Sequence, residues 1–183
     1  MSIYRDGTLL LAAFLLSAPV SHAATTQADP SKIDLAKLIE CKTYDIGGYY
    51  DFAMWLTGPD HATAMKQLGL SEMPSSNPFL QEFKLSAPVT VFGRQTNRII
   101  FTSSGPLAVL DEPDPHPLAA TLGVTATVDR PDKFRGDKEV SISKERHESA
   151  YPPLRTRISL NVLTVDYLPG KTLAGCSYSI GVE

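Results

Sequence analysis

"LRTRISLNVLTVDYLPGKTLAGCSYSIGV" (Leu154–Val182) decides the fold. In its first part Ile158, Leu160 and Val162 share one parity while Arg155, Arg157, Ser159 and Asn161 share the other, the signature of a strand with one buried face. In its last part Ala174, Cys176, Tyr178, Ile180 and Val182 alternate with Gly175, Ser177, Ser179 and Gly181 in the same way. Between them, "LPGK" puts Pro169 and Gly170 at the centre of a type II turn, where proline presets φ and glycine supplies the positive φ that follows. The pattern predicts a terminal hairpin of two strands, Leu154–Tyr167 and Thr172–Val182. The glycines and serines of the second strand form a smooth row that another backbone can approach closely.

Upstream, "LQEFKL", "PVTVFG", "RIIFTS" and "LAVLD" are short apolar or alternating runs broken by "SAP", "RQTN" and "SGP", and "VTATV" and "KEVSIS" continue the series. Such spacing belongs to an antiparallel meander. Helical patterns come earlier: "LAKLIECK" behind Asp34, "YDIGGYYDFAMWL" (Tyr44–Leu56), and "HATAMKQL" capped by Asp60 and ended by Gly69. One more, "HPLAATLG", carries Pro117 in its first turn and Gly123 after its last. "QLGL" (Gln67–Leu70) and "TLGV" (Thr121–Val124) each end a helix and precede strands, which fits a diverged helix-plus-strands duplication with a period of about 54 residues. The expected class is α+β: an antiparallel sheet, mostly in the C-terminal two thirds, with short N-terminal helices and one mid-chain helix packed on one face.

The N-terminus, "MSIYRDGTLLLAAFLLSAPVSHAATTQADP", has a cation at Arg5, an apolar run from Leu9 to Leu16, and small residues at Ser21 and Ala23. This reads as a secretory signal spanning residues 1–23, cut after Ala23. The apolar run falls well short of the ~20 residues that cross a bilayer. Cys41 lies too far along to be a lipidated cysteine, so no membrane anchor is expected after cleavage. A flexible leader is expected over residues 24–33 and a single domain over 34–183. Two cysteines in an exported chain pair, so Cys41 and Cys176 are expected to form a disulfide joining the first helix to the last strand. Closing a loop of roughly 135 residues stabilises by ~4 to 5 kcal/mol in the chain-entropy model. Net charge is −3 with mixed signs, which disfavours nucleic acid and anionic membrane surfaces as partners.

Catalytic patterns are sparse. No Gly-x-Ser-x-Gly elbow occurs, and Ser103 and Ser104 in "FTSSGP" read as turn residues. "RHESAY" (Arg146–Tyr151) begins like a zinc-protease helix but places Tyr151 where the second histidine belongs. "LDEPDPHP" gathers Asp111, Glu112, Asp114 and His116, the best metal candidates in the chain, but its alternating prolines make it a rigid polar connector, so no metal and no cofactor are expected. His61, beside a helix cap, reads as a surface residue.

What remains is recognition surface. Arg155, Arg157 and Asn161 share the polar face of a strand, where arginine forks suit carboxylates and where edge charges equally discourage aggregation. Tyr49, Tyr50 and Trp55 are amphipathic anchors of the kind found in interfaces, although at helical spacing such residues more often fill a core. The expected function is a periplasmic or secreted, non-catalytic binding module with a protein partner, an inhibitor or immunity-type protein acting on an envelope enzyme. In architecture alone, tandem units of this kind resemble exported inhibitors of the β-lactamase inhibitory type. Two rivals stand beside it: an envelope hydrolase built on the "LDEPDPHP" loop and His147, and a carrier of a small apolar ligand with a cavity at Phe101 and Tyr178.

Overall fold

Residues 29–42, 45–75, 77, 80–145 and 154–182 are described by a computed structural model. The expected signal segment, residues 24–28 of the expected leader, and "RHESAY" with His147 lie outside them. Packing begins earlier than the sequence pattern predicts: Pro30–Lys32 form a 3-10 turn capped by Asp29, and Ile33 is buried in the core, so the end of the expected leader belongs to the domain.

Three helices come first: α1 (Leu35–Ile39), α2 (Ile46–Thr57) and α3 (His61–Leu68). Four strands follow, β1 (Leu70–Met73), β2 (Gln81–Val91), β3 (Arg94–Thr102) and β4 (Gly105–Leu110). Then come α4 (His116–Leu122), β5 (Thr125–Arg130), β6 (Lys133–Glu145), β7 (Leu154–Leu163) and β8 (Thr172–Val182). Asp34 and Asp45 cap α1 and α2 by accepting from Lys37 N and Gly48 N. Asp60 holds the cap position of α3 but makes no side-chain cap bond, contrary to expectation. Gly69 and Gly123 end α3 and α4 in the left-handed region, at φ 63° and 67°.

All eight strands form one antiparallel sheet in the order β1-β2-β3-β4-β8-β7-β6-β5. Read inward from either edge, the order is the same: a helix, a left-handed glycine and a four-strand meander, the two meanders meeting at β4 and β8. The matching order is compatible with the diverged duplication that the sequence suggests and does not depend on it. "SAP" does not break a strand, since Ser86–Pro88 fall in a register shift inside one continuous β2. The next turn is Phe92–Gly93 instead of "RQTN", with both residues at positive φ.

The helices lie on one face. α1 and α2 contact β2, β4, β7 and β8, and Leu38, Ile39, Tyr49, Phe52 and Leu56 pack there against Phe83, Ile99, Val162, Ala174 and Tyr178. Cys176 sits in this core, fully buried, and is bonded to Cys41 just beyond α1. The type II turn forms as expected, with Lys171 N donating to Leu168 O at 3.2 Å and Gly170 at φ 71°. However, β7 stops at Leu163 and not at Tyr167. Residues 164–171 leave the sheet as a strap, which lays Val165, Tyr167 and Leu168 over Ile100, Leu107, Val109 and Leu173 and so buries the apolar centre of the second face. Among the described residues no helix is long and apolar enough to cross a membrane.

Candidate functional site

Beyond the strap, no described element covers the second face of β6–β8. The register sets Asp137 opposite Asn161, Glu139 opposite Ser159, and Arg157 opposite Ser179. Their side chains hold one another. Arg157 reaches Asp137 (2.5 Å) and Glu139 (3.8 Å), Asn161 Nδ2 donates to Ser159 O and to Ser177 Oγ (2.9 Å each), and Ser179 Oγ donates to Arg157 O. Of the expected contact residues, then, Arg157 is neutralised within the chain, Asn161 is fixed, and Arg155 is exposed at the start of β7.

The aromatic candidates lie elsewhere, on α2 and the opposite side of the sheet. Tyr49 is a core residue: its ring stacks on Tyr178 at 4.6 Å, and burial, with a smaller contribution from Tyr50, pushes its hydroxyl up to about 12. Trp55 is half-buried against the same core, and only Tyr50 is exposed. Phe101 packs against Phe52 and Phe83 and Tyr178 is fully buried, while a cleft of about 340 Å³ lined by Tyr49, Tyr50, Leu56 and Phe101 opens beside α2, at the place where the apolar carrier reading expects a cavity.

The metal candidates diverge too. Asp111 pairs with Lys171, Glu112 with Arg94 (2.8 Å), and Asp114 with His116. Among the described residues no three His, Cys, Asp or Glu side chains are placed to hold a metal ion.

His116 is nonetheless ordered. Its Nδ1 lies 2.6 Å from Asp114 Oδ1 and its Nε2 3.0 Å from Asp129 Oδ1, with the ring edge-on to Phe134 at 5.0 Å. Because carboxylates only accept, both nitrogens donate when both bonds are made, and the imidazole is held as a cation. Its pKa is raised, first by Asp114 and then by Asp129, and that of Asp114 is lowered by bonds from the His116 backbone and ring. Asp129, on β5, was not legible as a partner, because it meets His116 only through the sheet.

Two clefts adjoin on this side. The larger, about 790 Å³, lies at the end of the sheet and contains His116, Asp129, Arg130, Asp132 and Asp166. The smaller, about 360 Å³, lies on the open face between the β3–β4 turn and the strap, with Arg135, Asn161 and Ser177 around a floor of Leu107 and Leu163. Both are lined by Lys133, Phe134, Thr164 and Val165. Ser103 and Ser104 are turn residues as expected, with Thr102 Oγ1 accepting from Ser104 N and Gly105 N at 3.1 Å. Lys133 and Arg135 escape the sequence reading, although their alternation with Phe134 and Gly136 is the signal that would have put them on one face. Comparison with family models, curated proteins and solved structures finds no match for this chain.

Proposed function

We propose that this is an exported, non-catalytic binding module that uses the open face of β6–β8, acting as an inhibitor or immunity-type protein on an enzyme of the cell envelope. One observation carries the reading: among the described residues the helices cover one face only, and the other face beyond the strap is polar, ordered by its own hydrogen bonds and indented by the smaller cleft, which adjoins the larger one at the end of the sheet. A surface whose side chains are already fixed loses little entropy when a partner docks. The N-terminal signal pattern and the disulfide support a periplasmic or secreted location. The two described histidines are each held within the chain, His61 with Nδ1 2.6 Å from Leu56 O and His116 between its two aspartates, and neither lies within hydrogen-bond reach of a serine, threonine or cysteine side chain among the described residues.

The test uses mature, disulfide-bonded protein and its Glu139→Arg variant as baits in envelope extract. Wild type is expected to retain one enzyme in near-equal amount and to lower its activity on titration, and the variant to lose both effects. Equal capture by the variant, or a captured enzyme whose activity is unchanged, would overturn the proposal.

A further inference from the structure

Resting on the reading of the open face as a recognition surface, we propose that the smaller cleft receives a carboxylate side chain from an acidic, apolar-flanked segment of the protein partner. Its charged lining is Lys133 and Arg135, no carboxylate lines the smaller cleft itself, and neither cation forms an ion pair among the described residues. Of the neighbouring acids, Asp137 and Glu139 pair with Arg157, Asp114 and Asp129 with His116, and Asp132 with Arg130, while Asp166 is exposed in the larger cleft and not in this one. In a chain of net charge −3, two unmatched cations at the rim of one cleft make a local field that favours an anion.

The remaining chemistry narrows the anion. Arg135 offers a planar fork suited to a carboxylate. Ser177 Oγ already accepts from Asn161 Nδ2 and keeps its own hydrogen to donate. Leu107 and Leu163 form an apolar floor that suits the methylene stem of a side chain. A volume of about 360 Å³ fits one side chain and its flanks, and the cleft opens onto the flat polar face where the rest of a protein surface would lie.

The test titrates the mature protein with the capped peptide acetyl-Ala-Leu-Glu-Leu-Ala-amide, following backbone amide resonances. Shifts are expected at Lys133, Arg135, Asn161 and Ser177, with the glutamine counterpart about tenfold weaker because it lacks the charge-assisted bonds. The Lys133→Glu/Arg135→Glu double variant changes two exposed positions, so it is expected to keep its thermal midpoint and lose binding by a similar factor. Equal binding of the two peptides, shifts centred on His116, or butyrate binding as tightly as the peptide would each overturn the assignment. An envelope enzyme captured equally by wild type and the double variant would sink the carboxylate pocket and leave the proposed function standing. Peptide binding as expected with no enzyme captured would do the reverse.

Discussion

Tyr178 Oη donates to the carbonyl of Leu38 at 3.0 Å, so the last strand holds the first helix by a buried hydrogen bond next to its covalent tie. The tie itself is two residues back along β8, where Cys176 meets Cys41 with the two Cα atoms 5.1 Å apart. Removing the covalent link with Cys41→Ala/Cys176→Ala is expected to cost up to ~4 to 5 kcal/mol. Removing only the hydroxyl, with Tyr178→Phe, is expected to cost about 1 kcal/mol. Urea unfolding of both variants checks this, together with thiol counting in the denatured, unreduced protein, which is expected to find none. Free thiols there, or an unchanged midpoint in the double alanine variant, would contradict the role given to the bond.

Close backbone approach makes a second prediction. A Cβ on Gly105 would lie 2.0 Å from Cys176 O, and one on Gly175 would lie 2.1 Å from Pro106 O, so β4 and β8 press together where the two meanders join. Gly105→Ala and Gly175→Ala are each expected to cost ~1 to 3 kcal/mol through forced backbone shifts. Gly181, on the same strand with nothing within 4 Å of its Cβ direction, tolerates alanine at no cost or gains up to ~1 kcal/mol. Thermal midpoints of the three variants give the comparison, and equal effects at Gly175 and Gly181 would refute it.

Those two glycines also mark how far the sequence could be read. Period-two alternation in "RISLNV" and "AGCSYSIGV" revealed the terminal strands, their buried face and the cysteine on it, because burial on one face leaves a local imprint. What β7 does after Leu163 is a different matter. Thr164–Tyr167 continues the β-like pattern of the strand before it, and it leaves the sheet because Tyr167 and Leu168 are needed to cover Ile100 and Leu173, which come from two other strands. The turn at Phe92 was equally hidden: a bulky residue sits at φ 52° because its ring packs on the core and its N–H donates to Glu40 Oε1 at 2.6 Å. The same holds for the clefts, since Ser103, Arg135 and Ser177 become neighbours only through strand order.

His116 gives the pH dependence its sign. Its pKa is raised in the folded state by Asp114 and Asp129, so its contribution to stability is fully present below the ordinary imidazole value of about 6.5 and is lost as pH rises through the higher folded value. Asp114 works from the other side: its pKa is lowered, so its contribution is present above the ordinary carboxylate value of about 4 and fades as pH falls through the lower folded one. The trio therefore supports the fold most between those two ordinary values. Ring-proton titration of His116 is expected to show its pKa falling in Asp114→Asn and in Asp129→Asn, with Asp114 the larger effect. A thermal midpoint whose decline from mildly acid to mildly alkaline pH is identical in wild type and His116→Ala would rule the contribution out.

Beneath the strap, Arg98 pairs with Glu82, whose side chain is only 2% exposed while that of Arg98 is 27% exposed. Tyr167 Oη is buried close by without a hydrogen-bond partner among the described residues. The asymmetry in burial makes the two halves of the pair unequal. Arg98→Met strands a carboxylate in the apolar centre of the second face and is expected to cost about 3 kcal/mol. Glu82→Met leaves a guanidinium that can still reach water, and is expected to cost about half as much. Glu82→Met/Arg98→Met removes both charges, and its stability is expected to return to within about 1 kcal/mol of wild type, since apolar replacement of a buried pair is often neutral. The cycle is measured by urea unfolding at neutral pH. Equal costs for the two single variants, or a double variant as poor as their sum, would show that burial of Glu82 does not govern this site.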